Sequence, residues 1–600
     1  MAKELMGEVF YNEALLTPNY TVEAAIGTTY SLDLETLLEV PLALGELTAS
    51  AEQYIQRPYY LLDVINKVSS KFCVYCNAGS IYSPLRKNEK GEVHQNALLG
   101  ERILTLLEES VCQVQPVAHH NSFASFHPKV WIILEKQKET EERQLKVLVM
   151  SKNLTYSTDI DVCCVLTGKV MRKNASHQAQ EKHQPLVALL EWLEKFSKSS
   201  NQQKKILRVL KDAIPRVEQF DIDGDTFDDY DFHLMGVPGY DGKECLDDML
   251  RYSGDTIVIS PFIDLQTIEQ ISQRKGQKVL VTQPNSCTHD ILRLLPDQVY
   301  STKLALATPD EDGAIVNLHE KIYFTSDYRG NRLFLGSTNA TENGFQRNVE
   351  LLLSLRFQPY KSSFNKVKEQ FVFEGKDCAF EKATPCAFDS ASQNEQRALQ
   401  LCIRRAIAAI QYAEVEEEQA GTYRIIVKCK CPQEDVFISP IYTPSLKQAL
   451  TTQMVFSDLA LTDLTELYIL ECHDIRVVVK INTPNIPSDR KQQIYDRLLN
   501  TPDKVMDYLA YMLSVNPDGY MEEMTNRELV GKRTDAHTAS FSGLSLYEDL
   551  LRTAYSSPDR IKRAVETLNK CRIAIEIEGF RKLLSQMQRA IPKIEKLKRE

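Results

Sequence analysis

The chain has 600 residues, which is too long for one hydrophobic core and predicts two to four domains. Hydrophobic residues make up 43% of it and aromatic residues 8%, the composition of an ordinary globular protein. No run of about 18 apolar residues occurs, so we expect no membrane-spanning helix and no membrane partner. The formal net charge of −11 argues against broad attraction to phosphate backbones or anionic lipid, but it permits nucleic acid to bind in a locally basic cleft.

Two sequence features indicate a cytoplasmic protein. The N-terminal stretch MAKELMGEVFYNE is too charged for a secretory signal. The 14 cysteines are scattered along the chain and lack the spacing of a disulfide framework, so we expect reduced thiols.

In chain order, two alternations of strand-like and helix-like segments predict two α/β lobes with mixed sheets. The first lobe spans residues 1–175, and the second spans residues 236–375. Between them, residues 176–235 predict two amphipathic helices and an acidic stretch, FDIDGDTFDDYDF. This stretch is interpreted as a solvated linker, with competition against nucleic acid for a basic cleft as the alternative. Residues 390–600 predict a C-terminal α+β domain of unassigned role.

An internal repeat supports this division. The segment YSLDLETL in the first lobe matches PFIDLQTI in the second, which pairs Asp33 with Asp264. Each copy follows a strand-like run and opens a helix. The two lobes are therefore predicted to be related by a pseudo-twofold axis.

The same polar set follows each copy of the repeat. FHPKVWIIL and SKNLTYSTDID in the first lobe parallel LHEKIYF and STNATENGFQRNVE in the second. The matched residues are His127 with His319, Lys129 with Lys321, Ser151 with Ser337, Asn153 with Asn339, and Asp161 with Glu350. Because side chains two apart in a strand point to one face, each histidine is expected to point the same way as its lysine.

Two such sets facing one cleft suit phosphoryl transfer. One neutral histidine can attack phosphorus and form a phosphohistidine, while the opposite histidine exchanges protons with the leaving oxygen and the incoming water. Lysines and asparagines can hold the nonbridging oxygens as charge builds. The lysines supply the positive charge, so we expect neither a metal nor a cofactor.

The four supporting residues have more than one interpretation. Ser151 and Ser337 fit bonds to phosphate oxygens about as well as turn capping. Asp161 and Glu350 could orient a histidine through its Nδ1 atom, or they could be ordinary carboxylates at strand edges.

The paired HxK and SxN elements resemble the phospholipase D superfamily. The aspartate that usually follows the histidine by seven residues is replaced here by Leu134 and Ser326. This His-Lys-Asn form is similar to the tyrosyl-DNA phosphodiesterase and nuclease branch. The resemblance covers about residues 20–360, and it implies that His127 is the nucleophile and His319 the acid and base.

The resemblance leads us to expect a metal-independent nuclease, an endonuclease in bacterial defence or restriction being one form. DNA is the favoured substrate over RNA, with a helicase or other defence protein as a possible partner. A phospholipid-cleaving enzyme and a non-catalytic nucleic-acid-binding module are the alternatives. Both motif copies lie in one chain, so catalysis needs no dimer, although a dimer is compatible with the sequence.

Overall fold

The computed structural model describes residues 11–15, 17–45, 58–82, 86–87, 93–94, 101–116, 124–157, 159–197, 200–222, 224–251, 254–302, 318–327, 329–371, 380–386, 390–514, 543–569 and 578–599. None of the helices in these ranges combines the length and the apolar character that crossing a membrane requires.

The first lobe is built on a six-stranded mixed sheet with the strand order β10-β9-β8-β1-β3-β7. β1, β3 and β7 are parallel, and β8, β9 and β10 continue the sheet as antiparallel neighbours. The elements of this lobe are α1 Tyr11–Leu15, β1 Tyr20–Thr29, β2 Leu32–Asp33, α2 Glu39–Leu44, α3 Leu61–Val68, β3 Phe72–Asn77, β4 Ile81–Tyr82, β5 Arg86–Lys87, β6 Val93–His94, β7 Val111–Val114, β8 Val130–Gln137, β9 Arg143–Met150 and β10 Cys163–Lys169.

Two helices, α4 His177–Leu193 and α5 Asn201–Ala213, connect the lobes as the sequence predicts. Each begins at a serine whose hydroxyl accepts a backbone N–H of the first turn, Ser176 for α4 and Ser200 for α5. Their apolar stripes pack into the core that the two lobes share.

The second lobe repeats the first and adds one strand at each edge of its sheet, in the order β11-β17-β16-β15-β12-β13-β14-β18. Its elements are β11 Asp229–Met235, α6 Gly242–Arg251, β12 Thr256–Ile259, α7 Leu265–Ser272, β13 Lys278–Thr282, α8 His289–Leu294, β14 Val299–Thr302, β15 Ile322–Asp327, β16 Gly330–Gly336, α9 Glu342–Gln346, β17 Glu350–Phe357, α10 Phe364–Phe371 and β18 Phe380–Lys382.

The order and direction of the strands confirm the internal repeat. β17-β16-β15-β12-β13-β14 in the second lobe corresponds strand for strand to β10-β9-β8-β1-β3-β7 in the first. The matched aspartates occupy equivalent positions, since the backbone N–H of Asp33 donates to Leu154 at 2.8 Å and that of Asp264 donates to Ala340 at 3.1 Å. Apolar side chains from both sheets and from α4 and α5 form one buried core, which holds the lobes together.

The acidic stretch is not a free linker, because its second half forms the edge strand β11. β11 pairs along its length with β17. Asp229 contacts Lys182, and Asp231 contacts Arg356, so basic side chains neutralise these two carboxylates. The four-domain division stays a prediction, but β11 and β18 join the second sheet from outside the predicted 236–375 range.

The C-terminal region contains both strands and helices. Its elements are α11 Ser390–Ala409, β19 Ile410–Gln419, β20 Thr422–Cys429, β21 Gln433–Pro440, β22 Gln448–Leu450, β23 Gln453–Ala460, β24 Leu467–Cys472, β25 Ile475–Lys480, α12 Asp489–Leu498, α13 Pro502–Leu513, α14 Gly543–Ser556, α15 Pro558–Asn569 and α16 Glu578–Arg599.

This region is tied to the first lobe by a sheet and by a core. β21, β22, β24 and β25 share a six-stranded sheet with β2 and β4 of the first lobe, and Val478 pairs with Ile81. A second hydrophobic core combines α2 and α3 with α12 to α16. The C-terminal region therefore forms part of the packing of the first lobe.

A buried ion pair reinforces this attachment. Arg490 Nη2 lies 2.8 Å from Glu108 Oε2, with the two side chains 8% and 1% exposed. The next residue makes an exposed counterpart, since Lys491 pairs with Glu109 at 3.2 Å with about half of each side chain exposed.

We expect Arg490→Ala to lower the free energy of unfolding by about 3 kcal/mol or more, because it leaves the Glu108 carboxylate buried without its cation. Lys491→Ala should cost under about 1 kcal/mol, because its pair is solvated. Thermal unfolding followed by circular dichroism measures both. Equal unfolding temperatures for the two variants would contradict the assigned role of the buried pair.

Candidate active site

Each predicted His-x-Lys lies in extended backbone just before a strand, β8 in the first lobe and β15 in the second. Both segments cross to the opposite lobe. The backbone N–H of His127 donates to Val349 O at 3.0 Å, and that of His319 donates to Ile160 O at 3.0 Å. Val349 and Ile160 are the residues immediately before the two predicted carboxylates, so each crossing brings a histidine to the other lobe's carboxylate.

Both carboxylates bond the histidine of the opposite lobe. His127 Nδ1 lies 2.9 Å from Glu350 Oε2, and His319 Nδ1 lies 2.8 Å from Asp161 Oδ1. Glu350 and Asp161 are fully buried, while the histidine side chains remain 13% and 17% exposed. A carboxylate on Nδ1 holds the proton there and leaves the Nε2 lone pair available for chemistry.

The two serines hold these carboxylates. Ser151 Oγ donates to Asp161 at 2.6 Å, and Ser337 Oγ donates to Glu350. Both serines are fully buried, and each hydroxyl also accepts the backbone N–H of the residue that follows its carboxylate. Each hydroxyl is thus engaged by a carboxylate and a backbone N–H, and the interpretations drawn from the sequence, phosphate binding and turn capping, stay predictions.

The two lysines are buried beside the histidines. Lys129 Nζ lies 3.0 Å from His127 Nε2, which confirms that this pair points the same way, and Lys321 Nζ donates to the backbone carbonyl of His319. Burial, together with the charge of Lys321, holds the pKa of Lys129 well below its usual range. Burial also lowers the pKa of Lys321 to about 8, against the opposing effect of Asp161 and Glu350.

The electrostatics place both motif copies in one site. Burial lowers the pKa of both imidazoles, and the neighbouring carboxylates oppose that shift. The charge of the lysine in the opposite lobe also acts on each histidine, since Lys321 lowers the pKa of His127 and Lys129 lowers that of His319. Burial would raise the pKa of Asp161, but the contacts with His319 and Ser151 outweigh it, and the pKa is lowered.

The two asparagines occupy equivalent loops after β9 and β16. Asn153 Oδ1 accepts the backbone N–H of Ser31 at 3.4 Å, whereas Asn339 Oδ1 is buried with no hydrogen-bond partner among the described residues. Within those residues, no hydrogen bond joins either asparagine to a histidine or lysine of the site. The unpartnered Oδ1 of Asn339 can accept a hydrogen bond from a polar ligand.

Three further residues at the site carry no sequence signal of their own. The ring of Tyr30 lies 5.1 Å from that of His127, and Asn348 Nδ2 donates to Glu350 Oε1 at 3.2 Å. Glu320, between His319 and Lys321, is fully buried, and burial raises the pKa of its carboxyl to about 8. Its counterpart in the first lobe is Pro128, so motif matching between the lobes does not reveal it.

The site suits an anion, because it contains two buried lysines and two histidines whose carboxylate contacts are made through Nδ1, which leaves Nε2 for a ligand. In the part of the chain that the structure describes, no cluster of three or more His, Cys, Asp or Glu side chains is arranged to hold a metal ion.

We expect the His319 imidazole to be neutral at pH 7, because burial and Lys321 lower its pKa from 6.5 to about 4. The unfolded chain then binds more protons between these two values. The contribution of His319 to stability is therefore complete above about pH 6.5 and is lost as the pH falls toward about 4. Titration of ¹⁵N-labelled histidine by NMR, assigned with His319→Asn, measures the pKa. A midpoint near 6.5 would contradict the burial argument.

Comparison with known proteins gives matches in solved structures alone. No family model and no curated protein matches the chain. Polyphosphate kinase from Porphyromonas gingivalis is 11% identical with a TM-score of 0.29, and the match covers 66% of this chain and 44% of that protein. Phosphatidylserine synthase from Haemophilus influenzae is 9% identical with a TM-score of 0.31, covering 60% and 82%. NucT from Helicobacter pylori is 15% identical with a TM-score of 0.18, covering 24% and 92%.

These three proteins are members of the phospholipase D superfamily. The resemblance of this chain to the superfamily rests on its own structure, in which two equivalent lobes meet with crossed pairs of histidine and carboxylate. The predicted α/β fold class with two related lobes and mixed sheets is confirmed by the strand order of this chain. It is compatible with the resemblance to the phospholipase D superfamily that the paired motifs imply.

Proposed function

We propose that this chain is a metal-independent phosphodiesterase that cuts nucleic-acid phosphodiester bonds through a phosphohistidine intermediate. The observation that carries the proposal is the crossed pair of contacts from His127 to Glu350 and from His319 to Asp161, with two buried lysines beside them. Such a site offers a nucleophile, a proton donor and positive charge around one phosphorus atom.

In the first step, the Nε2 lone pair of His127 attacks phosphorus as the bond to the leaving oxygen breaks. Glu350 accepts a hydrogen bond from the Nδ1–H group of His127, which keeps the lone pair on Nε2. Lys129, which contacts Nε2 in the free protein, turns to a nonbridging oxygen of the substrate. The leaving oxygen receives a proton from His319, whose pKa rises when the negative phosphodiester binds beside it.

In the second step, water attacks the phosphohistidine. His319, now neutral, takes a proton from the water, and its Nδ1 contact with Asp161 stabilises the imidazolium that forms. The phosphorus–nitrogen bond breaks, and its electron pair returns to His127. The cycle ends with a phosphate monoester and a protonated His319, as at the start of the first step, and His319 releases this proton to solvent when the product leaves.

Exposed aromatic side chains that adjoin the repeated motifs, in sequence or through strand pairing, support the proposal of a nucleic-acid substrate. Tyr82 is 45% exposed. Partial burial, and then the nearby hydroxyl of Tyr30, raise the pKa of Tyr82. Tyr156, in the loop after Asn153, is 51% exposed, and Phe262, just before Asp264, is 54% exposed. Unpaired bases stack on such rings.

The rest of the proposal follows the family resemblance. DNA is proposed before RNA as the substrate. A role in defence or restriction, in the cytoplasm and with a helicase or other defence protein as partner, rests on the length of the chain and its appended C-terminal region.

We expect the full chain to cut labelled DNA or RNA oligonucleotides in the presence of EDTA. His127→Ala and His319→Ala should each lower the rate by roughly 10⁴-fold or more, because each removes a reacting group. His177→Ala is the matched control, since the His177 side chain is 87% exposed.

A p-nitrophenyl phosphodiester of thymidine separates the two histidines, because its leaving group needs no acid. His319→Ala should then accumulate a covalent adduct, and mass spectrometry should locate it on His127. The absence of strand cleavage by the wild-type chain would contradict the nuclease proposal. Release of headgroups from phosphatidylcholine or phosphatidylethanolamine vesicles in its place would favour a lipid substrate.

We expect Tyr82→Ala, Tyr156→Ala and Phe262→Ala to raise KM for an oligonucleotide while leaving cleavage of a small p-nitrophenyl diester unchanged. Loss of one base–ring stack costs about 1–3 kcal/mol, or roughly 5- to 150-fold in KM. Tyr360→Ala is the control, because Tyr360 is 83% exposed and follows the C-terminal end of β17, whereas Glu350 begins that strand. Equal effects on both substrates would count against base stacking.

A further inference from the structure

We propose that Asn348 is a positioning residue for His127, and that Ser125 extends this support to Arg404 in the C-terminal region. The predicted effect of Asn348 on kcat rests on the proposed phosphodiesterase function. The predicted effect of Asn348 on the tautomer of the His127 imidazole does not.

Asn348 joins the segment carrying His127 to the carboxylate that orients it. Its Nδ2 atom donates to Glu350 Oε1 at 3.2 Å, and its Oδ1 atom accepts the backbone N–H of Ser125 at 3.1 Å. Glu350 uses its other oxygen for His127 Nδ1, at 2.9 Å. The side chain of Asn348 therefore ties together two parts of the site that come from different lobes.

Ser125 connects this link to the C-terminal region. Its hydroxyl accepts a hydrogen bond from Arg404 Nη2 at 3.1 Å, and its carbonyl accepts the backbone N–H of Val349 at 2.9 Å. Arg404 lies on α11, whose Ile407 would clash at 2.7 Å with a Cβ on Gly79. α11 thus packs closely against the first lobe near the segment that leads to His127.

Among the described residues, the second histidine has no equivalent support. Glu350 receives donors on both oxygens, with His127 and Ser337 on Oε2 and Asn348 on Oε1. Asp161 receives both of its donors on Oδ1, and its buried Oδ2 has no hydrogen-bond partner among the described residues. The better-fixed carboxylate therefore belongs to the histidine that is assigned as nucleophile.

Fixing Glu350 at both oxygens restrains its rotation, and the bond from Oε2 then restrains the ring of His127. An attacking atom gains from such restraint, because small misplacements of a nucleophile cost large factors in rate. Loss of the Asn348 donor also leaves a buried carboxylate oxygen without a bond, which disfavours the orientation that faces His127.

The test compares Asn348→Ala with Asn348→Asp. The alanine removes both contacts. The aspartate keeps an acceptor for Ser125 N–H, but it can donate to Glu350 only when its carboxyl is protonated. Asn343→Ala is the control, because Asn343 is exposed nearby and the hydrogen bonds it makes to Asn348 and Arg347 use its backbone carbonyl.

At neutral pH, we expect both Asn348 variants to lower kcat roughly 10- to 100-fold, the size of effect seen when metal-binding histidines lose the groups that orient them, with KM unchanged. Toward pH 5, Asn348→Asp should recover relative to Asn348→Ala as its carboxyl gains a proton. A constant ratio between the two variants across pH, or a loss confined to KM, would overturn the positioning role.

The contact between Arg404 and Ser125 is tested by comparing Arg404→Ala with Arg405→Ala. Arg405 is the exposed neighbour of Arg404 on the same helix. We expect a severalfold loss of kcat for Arg404→Ala, which Arg404→Lys should partly restore, and no loss for Arg405→Ala. Equal kcat values for Arg404→Ala and the wild type would remove the C-terminal region from the proposal.

NMR of ¹⁵N-labelled histidine separates this inference from the proposed function. In the wild type, His127 should hold its proton on Nδ1, and Asn348→Ala should shift that population toward the Nε2–H tautomer. An unchanged tautomer in the variant would overturn the inference even if the enzyme cuts nucleic acid. If the wild-type chain cuts no phosphodiester, but Asn348→Ala still shifts the tautomer of His127, the proposed function alone would be overturned.

Discussion

The site depends on one constraint, which is that each lobe supplies the carboxylate for the other lobe's histidine. Glu350 and Asp161 are fully buried charged groups, and such groups are costly to bury unless they are paired and hydrogen-bonded. Their partners become available when the lobes pack in the observed register, with backbone bonds from His127 to Val349 and from His319 to Ile160. The same contacts that orient the imidazoles therefore favour one arrangement of the lobes.

The two lobes carry similar sets of residues, but their surroundings make the two histidines different. Glu320 places a buried carboxyl beside His319, where the first lobe has Pro128 beside His127. Asn348 completes the bonding of Glu350, whereas Asp161 retains an unpaired oxygen among the described residues. A two-step phosphoryl transfer needs unlike roles from its two histidines, and this asymmetry offers a physical basis for them.

The sequence could predict whatever depends on local periodicity and order. The repeated order of residues was enough to match the lobes. His127 does contact Lys129, as strand alternation predicts, but both residues lie just before β8 and outside the strand on which that prediction relied. The sequence could not predict which carboxylate reaches which histidine, because that depends on how the lobes pack. The contacts of Ser151 and Ser337 with these carboxylates could not be predicted for the same reason. β11 was not predicted as a strand because it is rich in aspartate, and the basic residues that neutralise those aspartates are distant in sequence.

The C-terminal region shows how far such long-range packing extends. Its sheet takes in β2 and β4, two-residue strands too short to stand out in the sequence, and its helices complete the outer core of the first lobe. β2 ends at Asp33, whose N–H donates to Leu154 in the loop that carries Asn153. Packing of the C-terminal sheet therefore bears on the loop beside the site, independently of the contact between Arg404 and Ser125. Two separate connections of this kind therefore join residues 390–600 to the first-lobe half of the site.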